Sequence, residues 1–486
     1  MKTLTNHFQT FREGIIGKDE IIQTPYGTKR MLYADWTASG RLYAPIEDII
    51  LHQFGPYVAN THTESNITGT LMTKAYHEAK HIIKDHVGAN KDDVLLFSGT
   101  GMTGAMCKFQ RMIGVVVHER LKKKSQLPEN ERPVVFITHM EHHSNQTTWS
   151  ETLVDVVVVP PNERGEVCPE QLRCLLEQYK DRPLKIGSFT ACSNVTGIKT
   201  PYYELARIMH EYKGICLVDF SASAPYVAIN MHPEDPAEQL DGIFFSPHKF
   251  LGGPGTTGVV VFSKELYKNS IPDHPGGGTV HWTNPWGDKS YIENIEERED
   301  GGTPGFLQAI RTSLAIKLKE KMGIGEIAER ETALMSILVQ GLQQTKGITL
   351  LENGKWDRLP ILSFYAEGIH HNLFVKLLND VHGVQVRGGC SCAGTYGHFL
   401  LGIEKDQSKS ITDEVDKKNY FVKPGWVRVS LHPTLTEEEI QYLVYSIKDV
   451  VENIHRYRQD YQYNDKTNEF THRLDKGVDV SHWFNL

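Results

Sequence analysis

Seven short apolar runs alternate with longer amphipathic stretches, and they predict an α/β fold with a large, mostly parallel sheet between helix layers. The runs fall at 94–97, 134–138, 154–159, 184–189, 215–219, 243–246 and 259–262, and most are apolar at successive positions. Strands that are apolar on both sides are covered on both faces, as parallel sheets are. After Thr303 the texture changes to long helical patterns followed by scattered strand-like pieces, which predicts a second, smaller α+β domain.

Taken in order, the helices are punctuated as the fold requires. The stretch 169–180 places Leu172, Leu175 and Leu176 on one face, and 201–213 opens with Pro201 and stops at Gly214. Helices are predicted at 306–322 and 325–345, then strands at 348–351, 361–364, 384–387 and 427–431. A last helix, 437–456, is entered through Thr436 with Glu439 three positions on, a capping-box signature. The expected division is an N-terminal segment 1–30 packing with the small domain, a large domain 31–305, a small domain 306–456 and an extension 457–486. Two polar stretches interrupt the pattern: 119–132 reads as a helix-end loop and 402–424 as a mobile flap. The tail beyond 457 is polar and aromatic, without a strong period.

Composition bounds the function. A chain of 486 residues, 40% hydrophobic and 23% charged, has material for about three domains or two large ones. A net charge of −8 argues against nucleic-acid binding, and Lys122-Lys123-Lys124 is too short a basic run to reverse that. No apolar run approaches the roughly 18 residues of a membrane span, and Met1–His7 has no signal-like apolar core. Seven scattered cysteines make no disulfide framework, so the expected compartment is the cytoplasm with free thiols.

The chemistry gathers in loops that follow the runs. Phe244-Phe245-Ser246-Pro247-His248-Lys249 delivers one lysine to a Gly- and Pro-rich turn. An apolar setting lowers the pKa of a lysine, as Schiff-base chemistry needs. Upstream, Cys216-Leu217-Val218-Asp219 ends an apolar run on an acid. A lysine and an acid so placed suggest pyridoxal phosphate, whose usual partners are a Schiff-base lysine and a carboxylate at the pyridine nitrogen.

Gly253-Pro254-Gly255-Thr256-Thr257-Gly258 matches G-x-G-x-x-G, but a strand follows it where a dinucleotide site needs a helix. Its glycines are expected to let the chain double back after Lys249. Ser98-Gly99-Thr100-Gly101-Met102-Thr103-Gly104 lies between a strand and a helix, the context of a phosphate cradle, and lacks the G-K-[ST] ending of a nucleotide loop.

His139-Met140-Glu141-His142-His143-Ser144-Asn145 does not have zinc-protease spacing, and one histidine stacked on a planar cofactor explains it as well as a metal does. Arg387-Gly388-Gly389-Cys390-Ser391-Cys392 sets two thiols beside an arginine on a flexible loop, which suits a reactive thiolate. Zinc held with His398 would lack a fourth ligand, so no metal is expected. Arg428 stands within an apolar strand and needs an anion, either a substrate carboxylate or an internal partner.

Together these motifs resemble the class V aminotransferase family of fold type I pyridoxal-phosphate enzymes, especially its cysteine desulfurase and selenocysteine lyase branch, over roughly residues 30–455. Tyr33-Ala34-Asp35-Trp36-Thr37-Ala38 is similar to the family's opening segment near the substrate, which implicates Thr37 and Ala38. The resemblance implies that Lys249 is the Schiff-base lysine, Asp219 the pyridinium partner and His142 the ring-stacking histidine. It places Asn194 beside the cofactor O3′. Ser246, His248 and the loop Thr100, Gly101, Met102 and Thr103 would hold the phosphate, although Gly-Thr-Gly-Met-Thr departs from the usual G-T-T-E-G. Thr303, in Gly301-Gly302-Thr303-Pro304, would reach the neighbouring subunit's phosphate, which implies a homodimer. Arg387 and Arg428 would bind the substrate. Cys392 matches the family's sulfur-accepting cysteine, and the added Cys390 is similar to the R-x-G-C-x-C variant of molybdenum cofactor sulfurases, leaving either thiol as acceptor. The family's D-x-x-Q glutamine falls on Ala222, between Ser221 and Ser223.

The expected activity is removal of sulfur or selenium from L-cysteine or a related amino acid through a cysteine persulfide, handed on to a sulfur-acceptor protein. The alternative on the same scaffold is an aminotransferase, epimerase or other lyase without a persulfide, and a remote one is a non-catalytic pyridoxal-phosphate binder.

Overall fold

The computed structural model describes residues 2–61, 63–125, 127–354 and 357–485. The seven apolar runs form one sheet: β1 (Asp93–Phe97), β2 (Val134–Thr138), β3 (Asp155–Val159), β4 (Lys185–Thr190), β5 (Ile215–Asp219), β6 (Gly242–Phe245) and β7 (Val259–Ser263). Their spatial order is β1-β7-β6-β5-β4-β2-β3. The pairs from β6 to β3 are parallel, and β7 runs antiparallel to both β6 and β1. β7 can reverse because the turn after Lys249 doubles the chain back. A Cβ on Gly253 would stand 2.0 Å from the Pro247 carbonyl oxygen, and one on Gly258 2.0 Å from that of Gly101.

Both sheet faces are covered. One carries Val134, Phe136, Val218, Ile243 and Val261, and the other Leu96, Val135, Leu217, Phe244 and Val260, in two separate apolar clusters. Each such buried side chain is worth about 1.5–3 kcal/mol relative to exposure.

The smaller sheet is antiparallel, with β8 (Ile348–Leu350), β9 (Ile361–Ala366), β10 (Arg387–Gly389) and β11 (Trp426–Ser430) in the order β8-β9-β11-β10. The helix Glu437–Glu452 packs on the helix Ile324–Gln343 and is entered through the predicted capping box: Thr436 Oγ1 accepts from Glu439 N–H at 3.2 Å, and Glu439 Oε2 accepts from Thr436 N–H at 3.1 Å.

The expected strand 384–387 is divided. Val384–Gln385 pairs in parallel with Leu32–Tyr33, and the chain then crosses into β10. That pairing, with Ser430 N–H donating to the Ala34 carbonyl at 2.8 Å, ties residues 32–35 to the small sheet. The stretch 402–424 contains a helix, Lys405–Asp416, and a short turn at Tyr420–Val422, so much of its polar sequence belongs to the face of an exposed helix. Beyond 457 the alternation Tyr461, Tyr463 across from Phe470 and His472 forms a hairpin that the sequence reading did not identify.

The helix Phe306–Met322 packs on the helix Ile67–His86, and Ala309 and Ile310 share a cluster with Tyr76 and Ala79. The N-terminal helix Lys2–Arg12 sends Phe8 and Phe11 into the large cluster, while Arg12 pairs with Glu439 of the small domain at 2.6 Å. From these contacts we propose a division after Met322 in place of 305, with residues 2–30 bridging the two parts. Among the described residues no helix is long and apolar enough to cross a membrane.

Candidate active site

A cavity of about 1130 Å³ lies where the carboxyl ends of β1, β4, β5 and β6 face β10 and β11, the crevice where α/β sheets bind ligands. Lys249 ends a short turn, Pro247–Lys249, that follows β6 directly. The backbone there is anchored by Gly40 N–H, which donates to the His248 carbonyl at 2.9 Å. Lys249 lines the cavity, and burial pushes its pKa down to about 8; Asp219 pulls upward, while Arg428 and Arg387 push further down.

Asp219, the last residue of β5, is buried. Burial raises its pKa, against hydrogen bonds from Ser221, whose N–H donates to Oδ1 at 2.8 Å. His142 caps the helix His143–Ser150, its Nδ1 accepting from Ser144 N–H at 3.1 Å. Burial, with Lys249 nearby, drives its pKa down to about 3, so the ring is neutral.

The loop after β1 turns through Gly99, at φ +61°, into the helix Met102–Met112. Met102 N–H donates to Ser246 Oγ at 2.8 Å, and Thr103 Oγ1 and Ser144 Oγ are 2.6 Å apart. A Cβ on Gly101 would come within 3.1 Å of Ser246 Oγ and 3.5 Å of the His248 ring, so a side chain there would crowd this cradle. Of the two serines flanking Ala222, Ser221 faces the cavity, with its Oγ 3.4 Å from Ser246 Oγ, and Ser223 turns to the Phe220 carbonyl.

At the opposite end two guanidinium groups share one carboxylate. Arg428 Nη2 lies 2.7 Å from Asp35 Oδ1, and Arg387 Nε lies 3.1 Å from Asp35 Oδ2. Arg428 Nη1 donates to the Asn194 carbonyl at 3.1 Å. One carboxylate against two cations leaves a net positive end to the cavity, suited to a second anion. Asp35 was visible in the sequence only as part of the opening motif, and no role was assigned to it there.

The thiol loop closes the site. Ala393 N–H donates to the Cys390 carbonyl at 3.0 Å, and Ser391 and Cys392 have φ of +51° and +57°, the pattern of a type I′ turn. Two successive non-glycine residues there cost about 1–3 kcal/mol each, so the turn must be held from outside. Asn194 Nδ2 donates to the Ser391 carbonyl at 2.8 Å and Trp426 Nε1 to Ser391 Oγ at 3.2 Å. Cys392 is exposed and lines the cavity, whereas Cys390 is half-buried against the large apolar cluster. His398, the zinc candidate, bonds through its ring to the Gly394 carbonyl at 2.7 Å and to Ser408 Oγ at 2.8 Å.

Thus Lys249, Asp219, His142, Asn194, Ser246, His248, Thr100, Gly101, Met102, Thr103, Thr37, Ala38, Arg387, Arg428 and Cys392 come together around one cavity. Thr303 stands outside it, exposed, while Gly301, Pro304 and Gly305 form the rim. Glu141, inside the histidine motif, is fully buried and accepts from Thr138 Oγ1 at 2.7 Å, Asn145 Nδ2 at 2.8 Å and Thr190 N–H at 2.9 Å, joining the ends of β2 and β4. Burial pushes its pKa up to about 7 against those bonds. The sequence signal for it was only its place beside His142.

Among the described residues, four buried polar atoms without a protein partner, Asn194 Oδ1, Thr37 Oγ1, Thr256 Oγ1 and Arg428 Nε, belong to residues of this cavity. Unsatisfied buried groups are costly, and here they surround space for a polar ligand. An amine of lowered pKa, a buried carboxyl, a neutral imidazole and a glycine cradle at a helix start fit the aldehyde, pyridine nitrogen, ring and phosphate of pyridoxal phosphate.

The chain is similar to a probable cysteine desulfurase of Staphylococcus epidermidis, 26% identical over 386 residues covering 78% of this chain and 87% of the relative. It is also 27% identical to one of Halalkalibacterium halodurans over 367 residues, covering 75% and 84%. Its fold is shared with the apo cysteine desulfurase of Thermococcus onnurineus, at TM-score 0.70 and 21% identity, covering 91% of this chain and 98% of that one. A cysteine desulfurase of Escherichia coli superposes at TM-score 0.68 and 20% identity, covering 88% and 97%. These folds are of type I, and enzymes of the class V family use pyridoxal phosphate. The family profile described as aminotransferase class-V matches residues 32–443, so this chain belongs to the class V aminotransferase family.

Proposed function

We propose that this pyridoxal-phosphate enzyme removes sulfur, or selenium, from L-cysteine or a related amino acid and leaves it as a persulfide on Cys392. The observation that carries the reading is the cavity itself: Cys392, Lys249 and the arginine pair on Asp35 line the same space. A transaminase or epimerase needs the lysine and the arginines but has no use for a thiol presented on a strained turn.

Lys249 would hold the cofactor through its aldehyde, Asp219 would face the pyridine nitrogen, His142 would pack on the ring, and the loop 100–103 with Ser246 and His248 would take the phosphate. When bound, the cofactor supplies an electron sink for the carbon that carries the substrate amine. Arg387 and the free Nε of Arg428 orient the substrate carboxylate. Freed by the substrate amine, Lys249 takes and returns protons at the substrate carbons, and its pKa of about 8 lies near working pH. The Cys392 thiolate forms an S–S bond to the substrate sulfur while the Cβ–S bond breaks. Cβ takes the electron pair of the broken bond, and Lys249 delivers to it a proton equivalent to the one Cys392 gave up as its thiolate formed. One enzyme thiol and one cysteine thus become one persulfide and one alanine.

Cys390, turned toward the core, is read as a neighbour of the acceptor. Thr303, exposed beside the rim, is read as contributing to a second subunit's phosphate site in a homodimer, and a sulfur-acceptor protein would discharge the persulfide. The test is product analysis with L-cysteine: equal amounts of alanine and sulfide with a thiol reductant support the reading, and formation of a keto acid without sulfide rejects it.

A further inference from the structure

Within the histidine motif, His142 lines the cavity and His143 does not. His143 instead grips the thiol turn at two points. Its N–H donates to the Cys392 carbonyl at 2.7 Å, and its ring Nε2 accepts from Gly394 N–H at 2.9 Å. The second bond requires a neutral ring with a lone pair at Nε2. One turn further on, Gln146 Oε1 accepts from Thr395 Oγ1 at 2.9 Å, so the helix that begins the cavity wall also docks the helix Gly394–Leu401.

Such docking is needed because the turn carries two non-glycine residues in the left-handed region and does not hold that shape unaided. There is little slack, since a Cβ on Gly394 would come within 3.1 Å of His143 Nε2. We propose that His143 is a positioning residue that keeps the Cys390–Ala393 turn in the shape that sends Cys392 into the cavity and Cys390 toward the core, and that protonating its ring releases the turn. The catalytic use of this turn rests on the desulfurase reading; its shape does not. The charged and titratable groups around the ring are Lys423, from the segment after Tyr420–Val422, His142, with ring centroids 6.4 Å away, and Cys392 on the turn itself. Burial and Lys423 both favour the neutral ring.

The test reads the relative rate at which iodoacetamide labels Cys392 and Cys390 in the holoenzyme, resolved by peptide mass analysis. The ratio cancels differences in reagent concentration and labelling time and needs no turnover. His143→Phe keeps an aromatic ring and loses the acceptor; it should lower the ratio at least fivefold, whereas His143→Gln, with an oxygen near the position of Nε2, should keep it within twofold. In the wild-type protein the same fall should appear on acidification, with its midpoint below the ordinary imidazole value of about 6.5 because burial and Lys423 disfavour the charged ring. An unchanged ratio in His143→Phe, an equal fall in both variants, or a flat wild-type profile each overturns the proposal. If His143→Phe does not fold, the wild-type profile decides alone. If labelling behaves as stated but L-cysteine yields no persulfide, the positioning role stands and the desulfurase reading falls.

Discussion

Replacing Asp35 with asparagine removes the carboxylate that two guanidinium groups share. Arg428 is 3% exposed, and among the described residues Asp35 is its only anionic partner, at 2.7 Å, its other bond going to the neutral Asn194 carbonyl. Breaking a buried pair by removing one member costs about 3–5 kcal/mol. The Arg387 contact adds little, because that side chain is half exposed and water screens it. Taking roughly 3 kcal/mol and the shallow response of a large chain, the midpoint of thermal unfolding should fall by roughly 3–6 °C. Circular dichroism on the cofactor-loaded protein measures this. The two uncompensated cations should also bind small carboxylates, so acetate should restore more of the midpoint in Asp35→Asn than it adds to the wild type. A midpoint within about 1 °C of wild type, with no extra response to acetate, would refute the claim that Asp35 is the buried counter-charge of Arg428 at this end of the cavity.

Cys392→Ala should lower sulfide release from L-cysteine at least about 100-fold while leaving cofactor absorbance intact, whereas Cys390→Ala should stay within about threefold; steady-state assays with both variants check this. Lys249 reacts with an aldehyde only as the neutral amine, so attachment of pyridoxal phosphate to the apoprotein, trapped with borohydride, should rise with pH around a midpoint near 8. At pH 7 roughly one tenth of such a lysine is neutral, against about 0.03% of an ordinary one, and a midpoint above about 10 would remove the burial effect. In Gly258→Ala the new methyl would stand 2.0 Å from the Gly101 carbonyl oxygen. The displaced phosphate loop should weaken cofactor affinity at least tenfold in a titration.

The large sheet was readable because most of its strands are continuous apolar runs, and all seven predicted runs lie within one residue of the observed strand at both ends. The small sheet was harder. Its strand after Gly383 is cut by a change of partner from Leu32–Tyr33 to β11, a long-range pairing that no local period encodes. The hairpin at 461–472 escaped because its aromatic alternation is only four residues long on each side.

In the site, motif residues carried the chemistry, but their partners were not legible. Asp35 meets Arg428 across 393 positions and His143 meets Gly394 across 251. Both contacts exist only once residues 32–35 and the thiol loop have docked. The two cysteines read alike in sequence, and the turn's left-handed residues are what send them to different environments.

The central claim is that sulfur leaves the substrate onto Cys392. Mixing the cofactor-loaded protein with one equivalent of L-cysteine, alkylating at once and mapping the peptide that spans 387–401 tests it directly. The account predicts one added sulfur on Cys392, together with one alanine per active site. An unmodified Cys392 alongside consumed L-cysteine would contradict it.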